Sequence, residues 1–249
     1  MYRLLCVTAH PDDEASSFGG ALLQARERGY DTFVLCMTAG EAATQRGGAA
    51  TDEELKDLRR REFAAACKHL KVTEGDVLDY PDGKLDRQIF FEAVGDLSRW
   101  IRKLRPQVIL TFGPEGGVTA HPDHSMAGIF ATAAFHWAAR TNRYADQFYE
   151  GVKAHQAQKL YYATSDLGLE GRQPVSLAPA TTSIDIGMVY LEKKIEAFRM
   201  HHSQEPLFEL FENHARNRGP RELYHLAATS VPHELHEMET DLWQNVTDI

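Results

Sequence analysis

The N-terminal segment decides the fold: residues 3–14 read RLLCVTAHPDDE. Residues 3–8 are a short apolar run rich in residues that favour β-strands. Residues 16–28 follow an amphipathic helical pattern, which ends before Gly29, a favourable residue immediately after a helix. A strand that leads directly into a helix predicts the first part of a βαβ unit.

The same alternation continues through the first half of the chain. Further strands are predicted at residues 32–37, 76–80 and 108–112, and further helices at 51–70, 86–104 and 122–140. Strands separated by helices of this length indicate parallel βαβ units. The predicted fold class is therefore α/β, with a Rossmann-like, mostly parallel sheet flanked by helices.

The second half is less regular, with strands predicted at 159–164 and 182–186 and a helix at 188–202. No stretch is rich enough in proline, glycine or serine to divide the chain into domains. We therefore expect a single domain over residues 1–249. About 1–205 would form its core, and about 206–249 would form a C-terminal extension, a helix with a partly ordered tail.

Composition excludes several classes of protein. The 249 residues include 27 Lys and Arg against 36 Asp and Glu, a net charge of −9, without a long basic run, so nucleic acid is not an expected partner. No apolar stretch approaches the roughly 18 residues of a membrane span, and the first predicted strand begins at residue 3, so neither a membrane partner nor a signal peptide is expected. Three widely spaced cysteines favour a reducing compartment, the cytoplasm. A homo-oligomer is compatible with the sequence.

Two similar corners carry the chemistry: His10-Pro11-Asp12-Asp13 and His121-Pro122-Asp123-His124. Each lies between a predicted strand and a predicted helix, and each proline suits the first helical position. In an open α/β sheet, ligands bind at the carboxyl ends of the strands, near a change in strand order. If the first and fourth strands are neighbours, the two corners face each other.

Three histidines and three carboxylates would then share one pocket. Two histidines and one carboxylate suit a catalytic metal that keeps a position open for water. A single histidine at a strand end is more commonly a helix cap or a polar residue whose hydrogen bonds are satisfied. The inference of a metal site therefore depends on the two corners occurring together. The spacing alone does not say which residues bind the metal.

At these residues the chain resembles the LmbE-like, or PIG-L, family of zinc-dependent N-acetylglucosaminyl deacetylases. Six motifs carry the resemblance, in the family's order: Ala-His-Pro-Asp-Asp-Glu at 9–14, Thr-x-Gly-Glu at 38–41, Arg-x-x-Glu at 59–62, Asp-Gly at 82–83, His-Pro-Asp-His at 121–124 and His-x-Ser-Gln at 201–204. The two His-Pro-Asp motifs are specific in combination, and the others are weak alone. The resemblance covers most of the chain and implies the LmbE-like fold.

The resemblance also implies a metal site and its ligands, His10, Asp13 and His124. Both Zn²⁺ and Fe²⁺ accept these donors. It further implies that Asp12 is the general base. His121 would stabilise the oxyanion or protonate the leaving group.

Further roles follow from the same resemblance. Asp123 would be the orienting partner of His121, and the polar end of the substrate would be held by Arg59, Asp82 and Glu41. The chain departs from the family pattern just before the second corner. Thr119 stands where some relatives have a tyrosine that polarises the carbonyl, and Ala120 stands where many have glycine.

The expected function is therefore the metal-dependent removal of the N-acetyl group from a small N-acetylglucosaminyl conjugate. Three histidines and three carboxylates could also serve a non-haem iron enzyme or a phosphoesterase that acts on another small substrate. A third reading is a sugar- or metal-binding module without activity. Metal analysis with assays of amine and phosphate release separates these alternatives.

Overall fold

One mixed sheet of seven strands organises the computed structural model, which describes residues 1–169, 175–234 and 237–248. The strands are β1 (Arg3–Thr8), β2 (Asp31–Thr38), β3 (Glu74–Tyr80), β4 (Val108–Phe112), β5 (Lys159–Thr164), β6 (Thr182–Asp185) and β7 (Arg221–Thr229). Their order across the sheet is β3-β2-β1-β4-β5-β7-β6. The first five of these are parallel, whereas β7 is antiparallel to both of its neighbours.

Helices cover both faces of the sheet. They are α1 (Asp13–Glu27), α2 (Asp52–His69), α3 (Phe90–Leu104), α4 (Pro122–Trp137), α5 (Gly187–Phe198) and α6 (Phe208–Arg218). None of the helices in the described part of the chain has the length and apolar character that crossing a membrane requires. The predicted fold class, a mostly parallel Rossmann-like sheet between helices, is confirmed.

Strand β1 explains how one sheet supports two buried clusters. Successive side chains of a strand point to opposite faces. Leu4 and Cys6 pack in the cluster that contains residues of α1, α2 and α5, whereas Leu5 and Val7 pack in the cluster of α3 and α4. All four side chains are fully buried, which explains why the strand reads as a continuous apolar run.

The change in strand order falls between β1 and β4. From β1 the chain proceeds outward to β2 and β3, and it then returns to place β4 on the other side of β1. The two strands are parallel, with Leu4 opposite Val108 and Cys6 opposite Leu110. Because parallel neighbours end at the same edge, the segments that follow β1 and β4 emerge side by side.

The C-terminal part differs from the sequence-based expectation. Residues 206–249 were expected to lie outside the core, but β7 pairs with β5 on one side and β6 on the other. The strand is hard to recognise in the sequence because a charged residue, Glu222, is among its buried positions. The helix expected there is present as α6. Positions 235, 236 and 249 of the expected extension lie outside the described residues.

Candidate metal centre and active site

The two His-Pro-Asp corners meet at the carboxyl edge of β1 and β4. The first leads into α1, and His121 caps α4, in which Pro122 occupies the first turn. The ring centroid of His10 lies 4.7 Å from that of His121 and 5.3 Å from that of His124. Residues separated by more than a hundred positions are therefore brought into one cluster, as the strand order requires.

Asp13 lies between two of these rings. Its Oδ1 is 3.1 Å from His124 Nε2, and its Oδ2 is 3.8 Å from His10 Nδ1. The backbone N–H groups of Ala9 and His10 donate to Oδ2 and fix the carboxylate. Burial disfavours its charge, but the neighbouring His124 and His10 outweigh burial and hold the pKa of Asp13 well below its usual range.

The opposite nitrogen of each ring has its own partner. His10 Nε2 lies 3.1 Å from Asp82 Oδ1 and 3.5 Å from Asp123 Oδ2. Burial opposes the charge on His10, yet these carboxylates raise its pKa to about 10. Histidines that bind metals commonly donate their second N–H to a carboxylate or another acceptor, which fixes the ring.

His124 follows the same pattern through a hydroxyl. Its Nδ1 is 3.3 Å from Thr119 Oγ1, and the ring stacks on Phe112 with centroids 4.1 Å apart. If each ring donates to these outer partners, His10 Nδ1 and His124 Nε2 keep free lone pairs on the Asp13 side. Two such nitrogens and a carboxylate fit a divalent transition-metal ion.

His121 offers a third nitrogen to the same cluster, since ligand atoms of His10, His121 and His124 all lie within 4.8 Å of one another. Its Nδ1, however, accepts a hydrogen bond of 3.2 Å from the backbone N–H of Asp123. A neutral imidazole that accepts at Nδ1 carries its hydrogen on Nε2. Burial and the neighbouring His10 and His124 lower the pKa of His121 and favour this neutral form. The contacts therefore favour His121 as a hydrogen-bond donor.

Asp123 is placed differently from its expected role. Its carboxylate accepts hydrogen bonds from Gly83 N at 2.7 Å and Leu85 N at 3.2 Å and faces His10. These hydrogen bonds hold the Asp123 carboxylate against residues 83–85, which follow β3. Among the described contacts, Asp123 orients His121 through its backbone N–H, whereas its side chain orients His10.

Asp12 is held beside the cluster by Arg59. A nitrogen of the guanidinium lies 3.0 Å from Asp12 Oδ2, and the same group donates to the carbonyls of Pro11 and Gly40. Burial raises the pKa of Asp12 to about 6, with the positive charge of Arg59 opposing that rise. A carboxylate with this pKa is suited to accept a proton near neutral pH.

The three expected substrate-binding residues lie at the site but already have internal partners. Arg59 is 3% exposed and supports Asp12. Asp82 is 8% exposed and accepts from Ala42 N. Glu41 accepts from the backbone N–H of Asp82 at 3.1 Å. Their observed contacts fix the site, and their contacts with a substrate remain a proposal.

The structure adds two residues that the motif-based assignment left without a role. Glu14 Oε1 lies 2.7 Å from His201 Nε2, and both side chains are fully buried. Both residues belong to motifs recognised in the sequence, at 9–14 and 201–204. The contact joins positions 187 residues apart, so local spacing could not reveal it.

Comparisons with known proteins identify similar sequences and similar structures. A family model described as PIG-L: GlcNAc-PI de-N-acetylase matches residues 5–135. A mycothiol S-conjugate amidase from Streptomyces coelicolor is 35% identical over 64% of this chain, which spans 60% of the amidase's length. A 1D-myo-inositol 2-acetamido-2-deoxy-alpha-D-glucopyranoside deacetylase 2 from Catenulispora acidiphila is 29% identical over 96% of both chains.

Two solved structures share the fold. The N,N'-diacetylchitobiose deacetylase from Pyrococcus horikoshii has a TM-score of 0.73 and 22% identity, covering 90% of this chain and 83% of its own. The 4-carboxy-2-hydroxymuconate hydratase GalB from Pseudomonas putida also has a TM-score of 0.73, with 24% identity, covering 94% of this chain and all (100%) of its own. Because both a deacetylase and a hydratase have this fold, the fold alone does not decide the reaction.

Proposed function

Because the chain belongs to the PIG-L family, we propose that it is a metal-dependent hydrolase that removes the N-acetyl group from an N-acetylglucosaminyl conjugate. The arrangement of Asp13 between His10 and His124, with Asp12 at its side, carries the proposal. It supplies the two components that amide hydrolysis by water needs. These are donors for a Lewis acid and a separate carboxylate that can take a proton.

His10, Asp13 and His124 are the proposed metal ligands. A divalent ion held there, Zn²⁺ or Fe²⁺, would lower the pKa of a water molecule and polarise the amide carbonyl. The outer partners of the two rings support this assignment: Asp82 and Asp123 keep His10 Nε2 occupied, and Thr119 does the same for His124 Nδ1. Both rings can then present their other nitrogen to the ion.

Asp12 is the proposed general base. It takes a proton from the attacking water and can return it to the departing amine, since an amine leaves readily only when it is protonated. Its raised pKa suits both directions of transfer. Arg59 fixes the carboxylate, which keeps one geometry for both transfers.

His121 is the proposed donor to the oxyanion. Nε2–H is its free donor in the neutral form, because Nδ1 is occupied by the backbone of Asp123. A donor placed where negative charge develops typically contributes about 10²–10³ in rate. This chain has Thr119 where some relatives have a tyrosine, so His121 carries a larger share of that stabilisation than in those relatives.

The proposed substrate is a small conjugate of N-acetylglucosamine, with Arg59, Asp82 and Glu41 at its polar end. The matched Catenulispora protein is named as a deacetylase of a myo-inositol 2-acetamido-2-deoxy-glucopyranoside, and the matched Streptomyces protein is named as an amidase of mycothiol S-conjugates. The aglycone distinguishes one member of the family from another. A panel of inositol, malate, chitobiose and thiol conjugates therefore tests the proposal without assuming the aglycone.

The test is release of free amine by metal-depleted protein before and after addition of Zn²⁺ or Fe²⁺. We expect activity on at least one conjugate only after reconstitution. Asp12→Asn should bind the metal normally but lose about 10²–10⁴ of turnover. Release of phosphate from phosphoesters, or binding of the conjugates without turnover at any pH, would contradict the proposal. Near wild-type activity of Asp12→Asn would contradict the assignment of the base.

A further inference from the structure

Asp12 has a strained backbone. Its φ of 119° lies in a region that residues other than glycine rarely adopt. Such conformations are energetically unfavourable and persist only where the surroundings hold them. The N–H of Asp12 donates to Glu14 Oε2 at 2.9 Å, so a specific contact holds this peptide group in place.

Glu14 is itself fixed by His201. The second oxygen of its carboxylate lies 2.7 Å from His201 Nε2, and both side chains are fully buried. His201 follows the C-terminal end of α5, far from the corner in sequence. Its Nδ1 is buried and has no partner among the described residues. Among the described residues, the imidazole of His201 therefore makes one polar contact, which is with Glu14.

Ser203, two residues after His201, supports the helix that carries Arg59, the second residue that holds Asp12. The N–H and hydroxyl of Ser203 donate to the carboxylate of Glu62 at 2.7 Å and 2.6 Å. Glu62 lies on α2 three residues after Arg59, about one helical turn away. Residues 201–203 therefore support both the carboxylate that binds the Asp12 amide and the helix that carries Arg59.

We propose that Glu14 and His201 are positioning residues for Asp12: His201 fixes Glu14, and Glu14 holds the strained peptide that aims the Asp12 carboxylate. The proposal rests on the proposed function, in which Asp12 is the base. A purely structural role for the pair predicts a general loss of stability. A positioning role predicts a loss in the proton-transfer step, because small displacements of a reacting group cost about 10²-fold in rate.

Three variants separate these roles. His201→Leu removes the donor, His201→Gln keeps an N–H of similar reach, and His155→Leu is the matched control. His155 is also buried and also makes one short contact, 2.7 Å from its Nε2 to the carbonyl of Pro106 near the start of β4. We expect His201→Leu to lower kcat about 10²-fold with KM and Zn²⁺ affinity nearly unchanged. His201→Gln should recover much of the loss, and His155→Leu should keep wild-type kcat.

A double variant tests whether His201 acts through Asp12. In the Asp12→Asn background, adding His201→Leu should lower kcat no further, because residues that act as a unit are not additive. A further drop of about 10²-fold would overturn the positioning role while leaving the proposed function intact. Wild-type turnover by Asp12→Asn alone would instead contradict the assignment of Asp12 as the base, on which the positioning role depends.

Amide hydrogen exchange gives a readout that does not need activity. In the metal-free protein, the segment around residues 9–16 should exchange faster in His201→Leu than in wild type or His155→Leu, because the Asp12 peptide loses its support. Unchanged exchange in that segment would overturn the inference. Equal losses of Tm, Zn²⁺ affinity and kcat in His201→Leu and His201→Gln would also overturn it, since they would indicate a structural role alone.

Discussion

Each histidine of the cluster has one nitrogen in contact with a partner other than Asp13, and the identity of that partner separates their roles. His10 and His124 have outer partners in Asp82 and Thr119, whereas the Nδ1 of His121 accepts from the backbone. The hydroxyl of Thr119 also lies 3.4 Å from the carbonyl of Gly116. It can therefore donate to that carbonyl and accept from His124, which fixes the hydrogen of the ring on Nδ1.

At the scale of one residue, Thr119→Val tests this assignment. The substitution removes the acceptor for His124 Nδ1–H at nearly constant volume. We expect a 10–100-fold loss of Zn²⁺ affinity, the usual effect of removing such an outer partner. Competition with a chromophoric chelator measures it. Thr119→Ser keeps the hydroxyl and should keep most of the affinity, so equal affinities for the two variants would contradict the role of Thr119.

The sequence predicts the positions of those site residues that lie directly after the ends of strands. Both corners follow apolar strands, and parallel neighbours end at one edge, so the convergence of His10 and His124 was expected if the first and fourth strands were neighbours. The structure shows that β1 and β4 are neighbours. The partners of these residues could not be predicted in the same way. That Arg59 supports Asp12, and that Asp123 faces His10, depends on how α2 and the segment after β3 pack.

At the scale of elements, the unexpected strand β7 is tied to the first helix. Glu222 of β7 accepts from Gly20 N and Ala21 N of α1 at 2.9 Å each, and it pairs with Lys194 of α5. Sequence patterns identify a buried strand by its apolar residues. A buried glutamate with partners on two distant helices weakens that pattern, which explains why the strand was missed while α1 and α5 were found.

The close packing of Ile186 and of Glu222 of β7 against α1 predicts different effects for two adjacent glycines. A Cβ at Gly20 would lie 2.6 Å from Ile186 and 2.8 Å from Glu222 Oε1. We expect Gly20→Ala to lower the free energy of unfolding by about 1–3 kcal/mol through overpacking. Gly19→Ala is the matched control, because its Cβ would meet the flexible Lys194 side chain at 3.1 Å and alanine favours the helix by about 1 kcal/mol.

Urea unfolding of both variants measures the difference. Gly19→Ala should be close to wild type or more stable, since helix propensity offsets a contact that a side chain can relieve. If both variants lose the same stability, the contacts of Ile186 and Glu222 do not restrict the size of the side chain at position 20. The turnover of both variants is a second readout, since α1 begins at Asp13 in the candidate active site.

At the scale of the whole molecule, a buried carboxylate, Glu239, contributes to holding the C-terminal segment, residues 237–248, against the sheet. Glu239 lies 2.6 Å from Lys159 Nζ and 2.6 Å from the hydroxyl of Tyr161, both on β5, and 3.0 Å from Thr182 Oγ1 on β6. Lys159 is fully buried. Removing one member of a buried pair leaves the other charge without compensation. Glu239 therefore joins the C-terminal segment to the same sheet that positions the candidate metal centre.

This pair predicts a pH-dependent contribution to stability. Burial disfavours the charge on Glu239, but Lys159 and Tyr161 outweigh it and lower its pKa from the ordinary value of 4.5. A lowered pKa in the folded state stabilises the protein above the unfolded-state pKa, and that stability is lost as the pH falls through the folded-state value. We expect Glu239→Gln to lose about 3–5 kcal/mol at pH 7. The difference from wild type should shrink as the pH falls below about 4.5.

Urea unfolding of wild type and Glu239→Gln between pH 7 and pH 3 measures that difference, and titrations of groups that do not contact Glu239 cancel. His233 Nδ1 lies 3.3 Å from Glu239 Oε1, so both proteins are measured in the His233→Gln background, which removes that titration. The double variant Lys159→Met/Glu239→Leu is the control, because replacing both members of a buried pair by apolar residues is often neutral or stabilising. It should be more stable than Glu239→Gln at pH 7 and should lack the additional pH dependence. If the difference in the free energy of unfolding between wild type and Glu239→Gln stays constant over this range, the charge of Glu239 does not stabilise the packing of the C-terminal segment.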